Sequence, residues 1–157
     1  MKLVGSCHCQ AVRFSVESHE PVPFMRCYCG ICRKTAGSGG YAINLAADHG
    51  TLKIEGVENL TVYCAKFEDG SISSGQRNFC KLCGAALWLW DPDWPELVHP
   101  QAGAIDTELP KPPSSTHIML GSKTNWVQPC VELGDAEFDA YPEESLAEWH
   151  QRHGQKF

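Results

Sequence analysis

The sequence has no apolar run near the ~20 residues that a membrane-spanning helix needs. Its opening residues, MKLVGSCHC, hold no apolar stretch of secretory-signal length, so neither a membrane nor an export route is expected. Internal repeats and low-complexity tracts are missing as well. Positive charge is scarce: 13 Lys and Arg stand against 19 Asp and Glu, a formal net charge of −6. Phosphate contacts draw on Lys and Arg, so this balance argues against a general nucleic-acid binder. No Ser–His–Asp order and no phosphate-cradling glycine loop stands out. The remainder is ordinary globular composition, 43% hydrophobic and 20% charged over 157 residues. That length fits one domain over residues 1–157, since a second would leave each half short of core.

Against these shortages stands one excess. There are nine cysteines: Cys7, Cys9, Cys27, Cys29, Cys32, Cys64, Cys80, Cys83 and Cys130. An odd count forbids complete pairing within one chain. In a cytoplasmic setting, which the missing export signal predicts, thiols stay reduced and clustered cysteines point to metal or catalysis before disulfides. Seven of the nine fall into three tight groups. Cys64 alternates with Leu60 and Val62 and reads as core, and Cys130 after Pro129 reads the same way.

Hydrophobic periodicity predicts a mainly β chain. Segments 11–16, 41–47, 51–56, 60–67 and 85–90 are rich in β-formers, and 11–16 alternates with period two. Turn residues at 48–50, 56–59 and 68–70 separate them. Such short, closely spaced strands suggest an antiparallel meander, to which 96–105 and 117–122 add further strands. One clear helix is expected over about 142–153, with Pro142 in its first turn and Gly154 ending it. A second, short helix is expected after Cys32, over Arg33 to Ala36.

Cys80-Lys81-Leu82-Cys83-Gly84 is a metal knuckle by spacing: two thiolates grip one ion, and the glycine tolerates the positive φ of the turn. Tetrahedral zinc needs two further ligands. Cys29 and Cys32 would make a zinc ribbon, but they lie far beyond the ~15–20 residues of ribbon spacing. Choosing Cys7 and Cys9 instead leaves a compact trio, Cys27-x-Cys29-x-x-Cys32. Four ligands close a structural site, whereas three leave the open position of a catalytic one. On spacing alone the trio has other readings too: a closed site completed by His8 or another residue, a redox centre, or small buried hydrophobes. His8 is expected to face solvent, His117 to be a satisfied core or rim histidine, and Trp88 and Trp90 to share one strand face.

The blocks GSCHC (5–9), CYCGICRK (27–34) and FCKLCG (79–84), in that order, resemble the glutathione-dependent formaldehyde-activating enzyme (GFA)/centromere protein V domain family. HIMLGSKTNW (117–126) resembles a later segment of the same family, and the likeness covers about residues 3–130. The resemblance implies a Mss4-like β-tent, curved antiparallel sheets stapled by zinc, followed here by the C-terminal helix. It implies two Zn²⁺ per chain, a structural ion on Cys7, Cys9, Cys80 and Cys83 and a catalytic ion on Cys27, Cys29 and Cys32. The implied activity is that of a carbon–sulfur lyase, which makes or breaks S-hydroxymethylglutathione.

The same chemistry follows from an open zinc site, which binds a substrate thiol as thiolate beside a polarised aldehyde or thiohemiacetal. An anionic thiol such as glutathione needs local cations, and Arg26, Arg33 and Lys34 flank the trio as candidates for its carboxylates. A helix beginning near Gly30 would further favour anionic sulfur. Two other classes stand beside the lyase: a non-enzymatic binding module on the same zinc-stapled frame, and a redox or metal-handling protein.

Overall fold

Period-two patterning becomes two-faced strands. In Arg13–Glu17, Phe14 and Val16 are buried while Arg13 and Glu17 are exposed. The computed structural model describes residues 1–153. Its first strands are Lys2–Ser6 (β1), Arg13–Glu17 (β2), Phe24–Cys27 (β3), Ala42–Asn44 (β4), Ala47–Glu55 (β5) and Leu60–Lys66 (β6). Then follow Ile72–Cys80 (β7), Ala86–Trp90 (β8), Leu97–Pro100 (β9), Ser115–Ile118 (β10) and Ala136–Glu137 (β11). The α-helices are Gly30–Ala36 (α1) and Leu146–Arg152 (α2).

Seven strands form one antiparallel sheet in the order β1-β2-β5-β9-β8-β7-β6. Its inner face carries the main core, in which Leu3, Val16, Leu45, Leu87 and Val98 are buried and Phe14 meets Trp88 edge-on at 5.1 Å. Burying each such side chain contributes about 1.5–3 kcal/mol. Four strands form a second sheet, β11-β10-β3-β4. Here β3 pairs antiparallel with β4, but β10 runs parallel to both β3 and β11. The mainly β architecture read from the sequence is therefore present, with a mixed pairing in the small sheet that a meander does not include.

Local differences have local causes. The turn expected at 48–50 is an irregularity inside one long strand. Asp48 Oδ1 accepts the Gly50 amide at 2.9 Å, and the β2–β5 register shifts there while pairing resumes on both sides. The segment 41–47 divides between β4 and β5, which belong to different sheets. The strand expected over 96–105 ends at Pro100 in a 3-10 turn, Ala102–Ala104. The one expected over 117–122 ends at Ile118, because Met119 has φ 62° and a 3-10 turn follows.

The C-terminal helix starts at Leu146, later than Pro142, because Ser145 caps it in a reciprocal box with Glu148. Its expected end at Gly154 lies outside the described residues. The short helix begins earlier than Arg33, at Gly30. Cys64 is only half-buried on edge strand β6, and Cys130 is exposed in an irregular segment, so neither belongs to the core. Among the described residues no helix is long and apolar enough to cross a membrane.

Candidate metal centres

The large sheet builds the first cluster. Cys7 leaves β1 into a tight turn, in which its amide donates to the Val12 carbonyl at 3.0 Å and its carbonyl accepts the Gln10 amide at 3.0 Å. Cys80 ends β7, and the knuckle folds back through the Gly84 amide onto the Cys80 carbonyl at 2.8 Å. Gly84 takes φ 74°, the left-handed conformation that the knuckle predicts for it. These two turns bring Cys7, Cys9, Cys80 and Cys83 together, with all four sulfurs within 4.8 Å of one another.

Zinc–sulfur bonds of about 2.3 Å in a tetrahedron set sulfurs about 3.8 Å apart. The Cys7–Cys9 and Cys9–Cys80 separations are 3.6 and 3.7 Å. They are far longer than the ~2 Å of a disulfide, and all nine cysteines are free. The donor set and its spacing therefore fit a four-thiolate metal. Main-chain amides assist: Val12 donates to Cys7 Sγ at 3.2 Å. The amides of Cys9 and then Ala85 hold the Cys83 thiol down to about 6, while Cys9 in the same cluster is pushed up to about 12. Cys7 and Cys80 are wholly buried against the main core.

The small sheet builds the second cluster. Cys27 is the last residue of β3, Cys29 is the N-cap of α1, and Cys32 lies in its first turn. Strand, cap and helix thus converge three sulfurs within 4.8 Å. Among the described residues no fourth Cys, His, Asp or Glu joins them, and His8 is exposed and stands in neither cluster. Cys29 Sγ accepts the Cys32 amide at 3.3 Å. Because α1 begins at Gly30, earlier than the expected Arg33, its first turn lies at the trio and favours sulfur as an anion. Hydrogen bonds from the Cys27 and Cys32 thiols push Cys29 strongly toward thiolate, and the bonds of Cys27 with Cys29 and Cys32 push Cys27 the other way.

The candidate cations, neighbours of the trio in sequence, are held in different ways. Arg26, one residue before Cys27, donates to the Cys130 carbonyl at 3.4 Å and lies 5.6 Å from the Tyr41 ring centre. Arg33 and Lys34 occupy the last turn of α1, where Arg33 is half-buried and Lys34 exposed. The Nε atoms of Arg26 and Arg33 are buried without a hydrogen-bond partner.

Two residues that motif spacing did not reveal also face the trio. Arg77 on β7 lines a small cavity with Cys32, Asn44 and Gln101; the Cys32 thiol is raised on balance, by its bond with Cys29 and by burial, and the Arg77 charge opposes that rise. Tyr141 is 70% exposed, and partial burial of its hydroxyl end, followed by the three neighbouring thiols, raises its phenol. Arg77 lies in a polar strand and Tyr141 in an irregular stretch, so neither carries a sequence signal of its own.

His117 is wholly buried and satisfied on both ring nitrogens, by Tyr28 at 2.8 Å and Asp135 at 3.0 Å. Trp88 is buried in the core, and Trp90 is half-buried and stacks on His49 at 4.9 Å.

Comparison with known proteins adds the family. The model of the glutathione-dependent formaldehyde-activating enzyme family, GFA, matches residues 2–122. The chain belongs to this family. A Halomonas elongata GFA protein, provisionally named a glutathione-dependent formaldehyde-activating enzyme, is 56% identical over 154 residues, 98% of each chain. A crystal structure of a Rhodobacter sphaeroides protein is similar in fold, with a TM-score of 0.52 and 26% identity. That match covers 88% of this GFA chain and 99% of the other. In this GFA chain both cysteine clusters are arranged so that they could hold a metal ion.

Proposed function

We propose that the protein is a zinc-dependent carbon–sulfur lyase acting on an adduct of a glutathione-like thiol, S-hydroxymethylglutathione in the reaction for which its family is named. Cys7, Cys9, Cys80 and Cys83 would hold a structural ion, and Cys27, Cys29 and Cys32 a second, catalytic one. The observation that carries this reading is the convergence of three sulfurs with no fourth protein ligand among the described residues. A three-thiolate zinc with an open position supplies an acceptor for the substrate thiolate and a Lewis acid for the carbon–oxygen bond.

The chain's own groups supply the rest. The amide of Cys32 donates to Cys29 Sγ, so α1 holds that sulfur on the strand–helix seam. The guanidinium of Arg77, in the cavity it shares with Cys32, offsets part of the burial that opposes negative charge there. Arg26, Arg33 and Lys34 bracket the trio in sequence and would take the carboxylates of the thiol substrate. Tyr141 keeps its proton and can donate a hydrogen bond from its edge of the site. Nine free thiols fit a reducing, cytoplasmic setting.

Elemental analysis and a glutathione titration of the wild type and of the Cys27→Ala/Cys29→Ala/Cys32→Ala variant test the proposal. The wild type should carry two zinc ions per chain, bind glutathione and turn over S-hydroxymethylglutathione. The variant should keep one ion and lose binding and turnover. Undiminished glutathione affinity in the variant would overturn the reading.

A further inference from the structure

Beside the trio the small sheet opens on a groove of about 560 Å³. We infer that this groove receives the carbon side of the thiol adduct, so that beyond the one-carbon adduct the site takes, and prefers, adducts of aldehydes with an apolar chain of several carbons or an aromatic ring. The inference rests on the lyase reading above and extends it to substrate class.

Continuity comes from strand geometry. Side chains two apart on a strand share a face, roughly 7 Å apart. Met25 lines the groove and precedes Cys27 by two on β3, while Thr116 lines it and precedes Ile118 by two on β10. The two strands are paired in register, Met25 with Thr116 and Cys27 with Ile118. Phe138 belongs to both places, packing on the cluster of Cys27, Cys32 and Ile118 and lining the groove. Tyr141 lines it as well and feels all three thiols.

Chemistry selects the occupant. Among the described residues no Lys or Arg lines the groove, whereas Glu143 does, as does Glu144, whose two oxygens accept from Arg152 at 2.8 Å. His99, also in the lining, is pushed toward its neutral form by burial, and its Nδ1–H donates to the Leu45 carbonyl at 3.0 Å. A tripeptide with two carboxylates therefore does not belong here. The cation that acts on the trio, Arg77, lines a separate cavity with Cys32, and the groove is left for the part of the adduct without charge. Trp149 and Leu97 give it apolar walls, and the exposed Trp94 stands in its lining. A one-carbon aldehyde would occupy a small fraction of a space that falls in the range of small-molecule sites, ~300–1,000 Å³.

The reaction needs no co-reactant. The carbon–sulfur bond of the thiohemiacetal breaks with its electron pair on sulfur. The hydroxyl proton ends on the thiol, and the carbon–oxygen bond becomes the carbonyl, with no net oxidation.

Stable thioethers, titrated by tryptophan fluorescence into the zinc-loaded protein, test the inference. S-Hexylglutathione should bind at least tenfold more tightly than S-methylglutathione, a gain of about 1.4 kcal/mol. The Ala136→Trp substitution, which fills the groove, should reduce that ratio to near unity. Trp94→Ala, at an exposed position, should weaken the hexyl ligand severalfold and the methyl ligand little. Equal binding of the two thioethers by the wild type, or a ratio that survives both substitutions, would overturn the inference and leave the lyase reading standing. If glutathione and both thioethers all fail to bind, the lyase reading itself falls, and the inference with it.

Discussion

The Tyr28 hydroxyl donates a hydrogen bond to His117 Nδ1 at 2.8 Å, across a sequence separation of 89 residues. The direction follows from the other side of the ring. The Asp135 carboxylate accepts at 3.0 Å, so Nε2 carries the imidazole proton and Nδ1 is left to accept. Tyr28 lies between Cys27 and Cys29, and its amide donates to the Ile118 carbonyl at 3.0 Å. The buried chain Asp135–His117–Tyr28 therefore anchors the loop that carries two of the three sulfurs.

Removing the middle of that chain should be costly. His117→Ala leaves a cavity and two buried polar groups without partners, and should lower unfolding free energy by about 3 kcal/mol. Chemical denaturation of the zinc-loaded protein measures it. A loss below about 1 kcal/mol would contradict the anchoring role.

Asp135 adds a pH signature. Burial opposes its ionisation, but the amides of Ser115 and Glu132 and then His117 outweigh this and hold its carboxyl below the usual range. A depressed folded pKa contributes stability above the unfolded value of about 4, and that stability disappears as pH falls through the folded value. Asp135→Asn should therefore destabilise the protein at pH 7, and its deficit relative to the wild type should shrink as pH drops below about 4. A constant deficit across that window would refute the assignment.

Metal removal should separate the two clusters. Cys7 and Cys80 sit inside the main core, and structural zinc sites carry roughly 10–16 kcal/mol of apparent binding free energy, comparable with the ~5–15 kcal/mol stability of a whole domain. Strong chelation should abolish the cooperative melt seen by circular dichroism, as should Cys80→Ala. The triple alanine variant of the trio should retain a cooperative melt. A native-like melt after removal of all metal would count against this assignment.

Glycine substitutions should rank by what a new Cβ meets. Gly84 has φ 74° and open space around it, so Gly84→Ala should cost only the left-handed penalty, about 1–2 kcal/mol. Gly56 has φ 75°, and its Cβ would fall 1.9 Å from the Ala11 carbonyl oxygen. Gly56→Ala should cost more than Gly84→Ala in paired denaturation curves, and the reverse order would show that the backbone yields at Gly56.

Local chemistry was legible in the sequence and long-range pairing was not. The knuckle, its positive-φ glycine, the trio and the helix over Arg33 to Ala36 all depend on residues within a few positions of each other. Strand β7 escaped notice because Ile72-Ser73-Ser74-Gly75-Gln76-Arg77-Asn78 is polar and contains a glycine. Pairing with β6 and β8 on both sides holds it in the sheet against that propensity. β3 is short and only partly apolar, and it is defined by a parallel partner some ninety residues away. Asp135 could not be found for the same reason, since its partners come together only when β10 and the following loop are in place.

The two sulfur clusters are sewn into different sheets, one at the rim of the seven-stranded layer and one at the seam of β3 and α1. Such a division lets heredity tinker. On the proposed division of roles, a lineage could lose, reshape or repurpose the trio one codon at a time while the four-cysteine cluster stays untouched.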